Sequence, residues 1–279
     1  VSHGNEMLQN YFSYANTTGH GIIGKSNLSK HNLTFRETSM LFDSRLKLDG
    51  NVNLMRQVTK NRPTVGGFYM NPLVGLYRFP RGEDISYYKE NFEIYDESRN
   101  LNIQNWHTSY EDFEQNPYWI VNRILTKETR MHAIVSLSAG LKINDWLSLQ
   151  ARGNVDYISD KMRQRFYAST APALAGVNGR YIEMDYQETQ FYGDAMLMMK
   201  KKWDAFSVDA AIGASINDKT VNSTRYDSKT ASLKYANVFN LANIIMNGSA
   251  SLDQKIDAQR QLQSLFATVQ VGYNESIYL

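Results

Sequence analysis

The side chains that could do acid–base or metal chemistry are scattered along the chain and form no recognisable constellation. The five histidines include no pair at the spacing of a metal site, and a lone histidine on a strand or loop is usually a polar surface group. Neighbouring acidic residues could bind calcium, but they lack the alternating oxygen ligands of a calcium loop. These residues are His3, His20, His31, His107 and His132, with the acidic pairs Glu83 and Asp84, Asp96 and Glu97, and Glu111 and Asp112. We therefore predict no catalytic residue, no cofactor and no metal, and we expect that the protein is not an enzyme.

A second candidate for chemistry is a long segment that is rich in aromatic residues and arginine. Flat rings with a polar tip suit either sugar stacking or a protein interface, and arginines could pair with the carboxylates of a substrate or partner. The alternative is a loop whose rings pack against one another and whose arginines are solvated. The predicted contact residues are Tyr77, Arg78, Phe79, Arg81, Trp106, Tyr110, Tyr118 and Trp119.

The composition excludes some classes of protein before any element is assigned. The 279 residues include 30 basic and 28 acidic ones, a net charge of +2, so the basic excess of a nucleic-acid-binding protein is missing. With no cysteine, the chain has neither a disulfide nor a thiolate metal site. No run of about 20 apolar residues is present, which excludes a membrane-spanning helix. A β-barrel is not excluded, because its strands alternate apolar and polar residues and their average hydropathy stays low.

The elements that must position these side chains alternate with a period of two. Apolar and polar residues alternate from Leu46 to Leu54, and the same pattern recurs at 131–141, 147–157, 206–216 and 265–273. The residues predicted to face lipid are Leu46, Leu48, Val52, Leu54, Leu147, Leu149, Val155, Val208 and Ile212. Those predicted to face the lumen are Lys47, Asp49, Asn51, Gln150, Arg152 and Asp156. A slip of one residue would turn basic groups toward lipid, at a cost of about 2–4 kcal/mol each.

The number and length of these segments predict the fold class. Less regular alternation near 8–15, 31–42 and 189–201 gives about eight strands, and Ile277 begins a ninth. Most run past about ten residues, and a tilted strand needs roughly 9–11 residues to cross a bilayer. Short turns alternate with long segments at 59–128, 159–187 and 217–257, and all five prolines lie in the long ones. The prediction is an all-β fold, an antiparallel transmembrane β-barrel segment with short periplasmic turns and long extracellular loops.

Two tryptophans lie at predicted short turns. Trp146 follows a predicted turn at Asn144 and Asp145. Trp203 lies in a second predicted turn, around Lys202 and Trp203. Because indole rings occur where headgroups meet hydrocarbon, both are predicted membrane-interface anchors; the alternative is a tryptophan that packs a strand end in a soluble barrel. An open strand edge in hydrocarbon would leave backbone groups unpaired, so we expect these strands to belong to a larger barrel.

Short motifs follow one another along nearly the whole chain. They are Tyr11-Phe12-Ser13-Tyr14, Gly21-Ile22-Ile23, Asn71-Pro72-Leu73, Gly75-Leu76-Tyr77, Phe79-Pro80-Arg81-Gly82, Asn116-Pro117-Tyr118-Trp119, Asp145-Trp146-Leu147-Ser148-Leu149 and Asn237-Val238-Phe239-Asn240-Leu241-Ala242-Asn243. In this order they resemble the SusC/RagA family of TonB-linked (TonB-dependent) outer-membrane proteins, which import nutrients in Bacteroidetes.

The resemblance implies a barrel of 22 strands with an internal plug. It further implies a SusD-like surface lipoprotein and the TonB complex as partners, outer-membrane lipid as surroundings, and a glycan or oligopeptide as substrate. The implied location is the outer membrane of a Gram-negative bacterium of the Bacteroidetes. Residues 1–279 would then be part of one barrel domain, with the plug, the TonB-binding segment and the remaining strands outside this chain.

The sequence therefore predicts an outer-membrane nutrient importer, and two alternatives stay open. A soluble all-β carbohydrate-binding or adhesin module would bury the apolar strand faces in a closed core. A passive porin would have the same wall without a plug. Residues such as Leu48, Val52, Leu149 and Ile212 separate the soluble module from a membrane barrel, because they contact protein in one case and lipid in the other.

Overall fold

One large antiparallel sheet dominates the computed structural model, which describes residues 1–64, 69–108, 114–230, 233–246, 250–274 and 276–278. Nearly all of its neighbouring strands are also neighbours along the chain. In spatial order the strands are β1 (Ser2–Gly4), β2 (Leu8–His20), β3 (Asn27–Leu41), β4 (Leu46–Lys60), β7 (Ile124–Lys142), β8 (Leu147–Phe166), β9 (Arg180–Trp203), β10 (Phe206–Asp227), β11 (Ser251–Tyr273) and β12 (Ile277–Tyr278). A separate hairpin, β5 (Glu93–Asp96) and β6 (Leu101–Gln104), lies between β4 and β7 in the chain.

Three short helices accompany this hairpin in the same connection. They are α1 (Pro72–Arg78), α2 (Ile85–Glu90) and α3 (Pro117–Arg123), and a 3₁₀ turn occurs later at Leu241–Asn243. Each α-helix begins at a side-chain cap, because Asn71, Asp84 and Asn116 accept hydrogen bonds from the first-turn amides. No helix in the described part of the chain has the length and apolar character needed to cross a bilayer.

The predicted fold class is confirmed: the chain is an antiparallel transmembrane β-barrel segment. The eight predicted strands are all present, and Ile277 does begin a further strand. Connections alternate in length between the two ends of the sheet. The short ones are 5–7, 42–45, 143–146, 204–205 and 274–276, and those at the opposite end are 21–26, 61–123, 167–179 and 228–250.

Strand ends differ from the sequence prediction. The predicted loops 159–187 and 217–257 are too long, because β8, β9, β10 and β11 extend into them and leave 167–179 and 228–250; the loop predicted at 59–128 is 61–123. The predicted turn around Lys202 and Trp203 is also wrong, since both residues end β9 and the turn is Asp204–Ala205. Backbone pairing continues beyond the hydrocarbon region, where neither face of a strand meets lipid and the alternation of apolar and polar residues stops.

The strand register places the predicted lipid-facing residues on one face. One row of directly paired residues runs across six strands through Leu41, Leu46, Leu141, Leu149, Leu197 and Ile212. The residues predicted for the lumen lie on the opposite face, because successive side chains of a strand alternate. We call the first face the apolar belt and the second the polar face. The belt is open to solvent in the described structure, with Leu137 58 % and Ile212 62 % exposed.

The apolar belt slants across the sheet. It runs from Leu46 to Leu54 in β4 and from Leu265 to Tyr273 in β11, and the register places Leu265 level with Leu48. The belt therefore shifts by six residues over the five steps from β4 to β11. With about 3.3 Å per residue and about 4.8 Å between strands, this slant corresponds to a strand tilt of about 40°. A nine-residue belt at that tilt is about 23 Å tall, close to the roughly 25 Å apolar band of outer-membrane barrels.

Ion pairs between neighbouring strands cover the polar face. Arg36 donates to Asp49 at 2.6 Å, and Asp49 also accepts from Thr38. His132 Nε2 lies 2.7 Å from Asp156 Oδ1, and Arg152 Nε lies 3.1 Å from both oxygens of the buried Asp194. Of the predicted lumen residues, Asp49, Arg152 and Asp156 thus have partners on adjacent strands, which a single-strand pattern does not reveal.

We expect the two faces to respond oppositely to a charge. Ile212→Arg would place a guanidinium near the middle of the apolar belt and destabilise the membrane-inserted protein by about 2–4 kcal/mol. Ala211→Arg, one residue away on the polar face, is the matched control and should cost less than half of that. Urea unfolding in lipid vesicles, followed by the loss of heat-modifiable migration on gels, measures both. Equal costs for the two variants would contradict the assignment of the faces.

Candidate functional site

The connection 61–123 packs onto the polar face at the loop end of the sheet. Its Ile120 forms a buried cluster with Ile124, Phe166, Ala175 and Ile182. The register pairs Ile124 with Phe166, and both lie on the same face as His132 and Asp156. In a barrel whose apolar belt meets lipid, this connection therefore lies over the lumen.

The connection 228–250 packs onto the opposite face. Leu233 and Ile244 form a second buried cluster with Tyr181 of β9. Tyr181 pairs with Arg165 on β8, on the same face as the apolar belt but beyond its end. Beyond the belt, both faces of the strands are therefore covered by protein, whereas the belt itself is exposed to solvent.

The helices α1 and α3 form a closely packed pair, and each begins with an Asn-Pro sequence. Proline suits the first turn of a helix because its missing N–H has no partner there. Gly75 allows the close approach, since a Cβ atom at this position would lie 2.5 Å from the carbonyl oxygen of Gln115 and 3.1 Å from Cδ of Pro117.

Asn116 is fully buried and organises the polypeptide around it. Its Nδ2 donates to the carbonyl oxygens of Tyr88 and Asn105 at 3.0 and 2.8 Å, while its Oδ1 accepts from the amide of Tyr118. Its own amide donates to Oε1 of Gln104 at 2.7 Å. A single side chain thus joins α2, α3 and the residue that follows β6, which explains in physical terms why an asparagine stands there.

Glu114 is a second buried centre, and sequence reasoning did not identify it. Oε1 accepts from Nε1 of Trp106 at 2.9 Å and lies 2.7 Å from Nε2 of His107, and Arg78 Nε lies 3.4 Å from Oε2. His107 is therefore no surface group, contrary to the prediction for lone histidines, because 9 % of its side chain is exposed. The only sequence signal was the acidic residue that follows the aromatic run.

The predicted contact residues divide into three groups. Tyr77, with 86 % exposure, and Arg81 point into solvent, and Arg78 is exposed beside Glu114. Phe79 and Trp106 belong to a ring cluster, with centroids 5.3 Å apart, and Tyr118 is half-buried. Tyr110 lies outside the described residues.

The prediction for Trp119 is wrong. Its side chain is 0 % exposed and donates from Nε1 to Oγ1 of Thr170 at 3.1 Å, so it holds two connections together and has no surface to offer a ligand. Aromatic type and loop position predict exposure only on average, and the packing of α3 against the 167–179 connection decides otherwise here.

A buried carboxylate joins the connections 167–179 and 228–250. Asp227 accepts two hydrogen bonds from Arg180, one from Arg225 and one from the amide of Lys229, at 2.8–2.9 Å. Burial acts to raise the pKa of Asp227, but the bonds from Arg180 and Lys229 and the two positive charges outweigh it, so the pKa lies below its ordinary value. Arg180 also donates to the carbonyl oxygen of Leu174 at 2.9 Å.

The two tryptophans predicted as membrane anchors lie together at the short-turn end. Nζ of Lys201 is 5.1 Å from the ring centroid of Trp146 and 5.2 Å from that of Trp203. Trp203 is level with Phe206 and Tyr273, which end the apolar belt on β10 and β11. A row of aromatic rings beside a lysine is the composition expected where hydrocarbon gives way to headgroups, and the anchoring role stays a prediction.

Among the described residues, no group of three or more histidine, aspartate and glutamate side chains is arranged to hold a metal ion. No family model matches the sequence, and none of the curated proteins matches it.

Solved structures do match the fold. The RagAB peptide transporter superposes with a TM-score of 0.71 at 16 % identity, over 99 % of this chain and 30 % of that chain. The RagAB peptide importer in its open-open state gives 0.68 at 15 % identity, over 99 % and 29 %. The siderophore receptor PiuA from Acinetobacter baumannii gives 0.50 at 10 % identity, over 95 % and 36 %. The chain therefore spans about a third of the length of these structures, and identities this low establish a shared fold alone.

Gly75→Ala should loosen the helix pair. The added methyl group would meet the carbonyl oxygen of Gln115, and overpacking of this kind costs about 1–3 kcal/mol. We expect faster proteolytic cleavage within residues 69–108 in the folded protein. Gly82→Ala is the control, because a Cβ there meets nothing within 4 Å. A cleavage rate that rises equally in both variants would argue against close packing at Gly75.

The Asp227 cluster should open in acid. Because the folded-state pKa is lowered, its stabilisation is complete above the unfolded-state pKa of about 3.9 and is lost as the pH falls through the folded-state value. Amide exchange near Arg180 and Lys229, corrected for intrinsic rates, should therefore rise steeply below about pH 4. Asp227→Asn should show fast exchange already at neutral pH, whereas Asp204→Asn in the exposed short turn should leave the profile unchanged. No rise in acid would mean that the carboxylate does not hold the connections.

Proposed function

We propose that this chain forms part of the barrel wall of an outer-membrane nutrient importer. In this proposal the complete protein is a TonB-dependent transporter of the SusC/RagA type in a Gram-negative bacterium of the Bacteroidetes. It imports a glycan or an oligopeptide together with a SusD-like surface lipoprotein. The chain itself carries no catalytic role.

The observation that carries the proposal is the exposed, slanted apolar belt. Side chains such as Leu137 and Ile212 remain open to solvent, although a soluble protein would bury so large an apolar surface. The belt's height of about 23 Å suits a bilayer core. In hydrocarbon, the ladder of paired strands satisfies the backbone groups that no solvent can satisfy.

The placement of the connections supports a transport role in particular. The 61–123 connection covers the polar face at one end, while the described connections at the other end are short turns. A ligand that enters the lumen from the long-connection side would pass this covered region first. Two structural neighbours, a peptide transporter and a siderophore receptor, support import as the activity.

The soluble binding module, our first alternative, requires a protein layer over the apolar belt. The described elements instead place both buried clusters beyond the belt, at the long-connection end of the sheet. The passive porin has the same wall, and it differs from an importer in having neither a plug nor a dependence on energy.

The test uses the complete protein that carries this chain, in its native host. We expect it in the outer-membrane fraction, extractable only with detergent, and we expect deletion of its gene and loss of TonB function to abolish growth on the same glycan or peptide. Uptake that persists without TonB would favour the porin, and recovery in a soluble fraction without detergent would favour the binding module. Either result would overturn the proposal.

A further inference from the structure

A cavity of about 450 Å³ lies where the connections 61–123 and 167–179 meet, on the side of the polar face. Ile94 and Ile103 of the β5–β6 hairpin form one wall, and Ala171, Pro172 and Val177 of the 167–179 connection form another. Ala171 is buried at the inner end, whereas Ile94 and Val177, the latter 59 % exposed, stand at the opening. Its volume lies within the range of small-molecule sites, about 300–1,000 Å³.

The two glutamines of the wall are occupied by hydrogen bonds to neighbouring protein groups. Gln115 donates to the carbonyl oxygen of Tyr69 and accepts from the amide of Ala171, at 2.6 and 2.8 Å. Gln104 donates to the carbonyl oxygen of Ser169 and accepts from the amide of Asn116, at 3.2 and 2.7 Å.

Glu114 is likewise engaged, by Trp106 and His107. Thr108 Oγ1 differs from these groups, since it is buried and has no hydrogen-bond partner in the part of the chain described.

This distribution decides which ligand chemistry fits. A sugar chain carries a hydroxyl on most carbons, and each hydroxyl buried without a partner costs about 1–3 kcal/mol. An apolar side chain needs no hydrogen-bond partner. The hydroxyl of Thr108 can pair with a peptide group of the ligand next to that side chain.

The aromatic rings at this place do not offer a platform for sugar stacking. Trp106 is the aromatic residue of the cavity wall, and its ring packs against Phe79, Tyr88 and His107, with centroids 5.3, 5.2 and 4.7 Å away. Stacking of a sugar requires a free ring face, whereas here the rings stabilise one another.

We propose that this cavity binds an apolar side chain of a peptide ligand, and that the imported substrate is therefore a peptide. The inference rests on the proposed import function and deepens it. Arg99, which donates to the carbonyl oxygen of Val177 at 2.6 Å, holds the opening in place. Ile94 and Val177 supply the apolar contact that the side chain meets on entry.

The experiment measures binding to the complete purified transporter in detergent, so it is independent of TonB. The probes are a fluorescent heptapeptide of glycine and serine with one central leucine, the same peptide with serine in place of leucine, and unlabelled maltohexaose as competitor. Val177→Asp introduces a charge at the exposed opening, where folding is not at risk. Val238→Asp, also an exposed valine in a long connection, is the matched control.

We expect the leucine peptide to bind the wild type at least tenfold more tightly than the serine peptide. Val177→Asp should abolish this preference, Val238→Asp should preserve it, and maltohexaose should not compete. Equal affinity for both peptides, an unchanged preference in Val177→Asp, or competition by maltohexaose would each overturn the inference. TonB-dependent growth on a glycan would overturn it while leaving the import proposal intact, whereas loss of the import proposal requires the fractionation or TonB results described above.

Discussion

The constraint on which the structure depends is that hydrocarbon offers no hydrogen-bond partner to a peptide group. Every N–H and C=O within the membrane must find a partner in the protein, and a ladder of antiparallel strands provides one on both sides of each strand. Once the ladder is fixed, side chains alternate between two faces, and one face must be apolar. The row from Leu41 to Ile212 is the direct consequence, because paired residues on six strands all present aliphatic groups to the same side.

This constraint applies only within the membrane. Outside it, strands extend further and carry the long connections at their ends. Beyond the apolar belt, β8, β9 and β10 continue as paired strands whose two faces both carry protein. Their extension places the cluster around Ile124 and Phe166 above the polar face and the cluster around Tyr181 on the opposite side. The strands thus act as rigid supports that hold three connections at a fixed distance from the bilayer, and the proposed binding cavity exists only because two of these connections meet.

Polar side chains do much of the organising within the connections, because long loops cannot bury enough apolar surface by themselves. Asn116 satisfies two carbonyl groups and caps α3, Asn243 donates to the carbonyl oxygens of Tyr235 and Val238, and Asp227 collects four donors. Such internally satisfied networks leave few polar groups for a ligand. The same applies to Gln104 and Gln115 in the wall of the cavity, whose lining also includes hydroxyl groups, a carboxylate and the guanidinium of Arg99.

The sequence by itself determined the wall of this protein. Alternation at Leu46 to Leu54 and its repeats identified the strands, their two faces and the fold class, because a period of two is a local property that each strand carries alone. It did not determine the slant of the belt, the partners of Asp49 and Arg152, or the burial of Trp119 and Glu114. Those depend on the register between strands and on contacts between connections far apart in the chain, and only the tertiary structure brings such residues together. The pattern within one strand shows which of its faces is apolar. The height of that apolar stretch relative to the neighbouring strands depends on how the strands are paired.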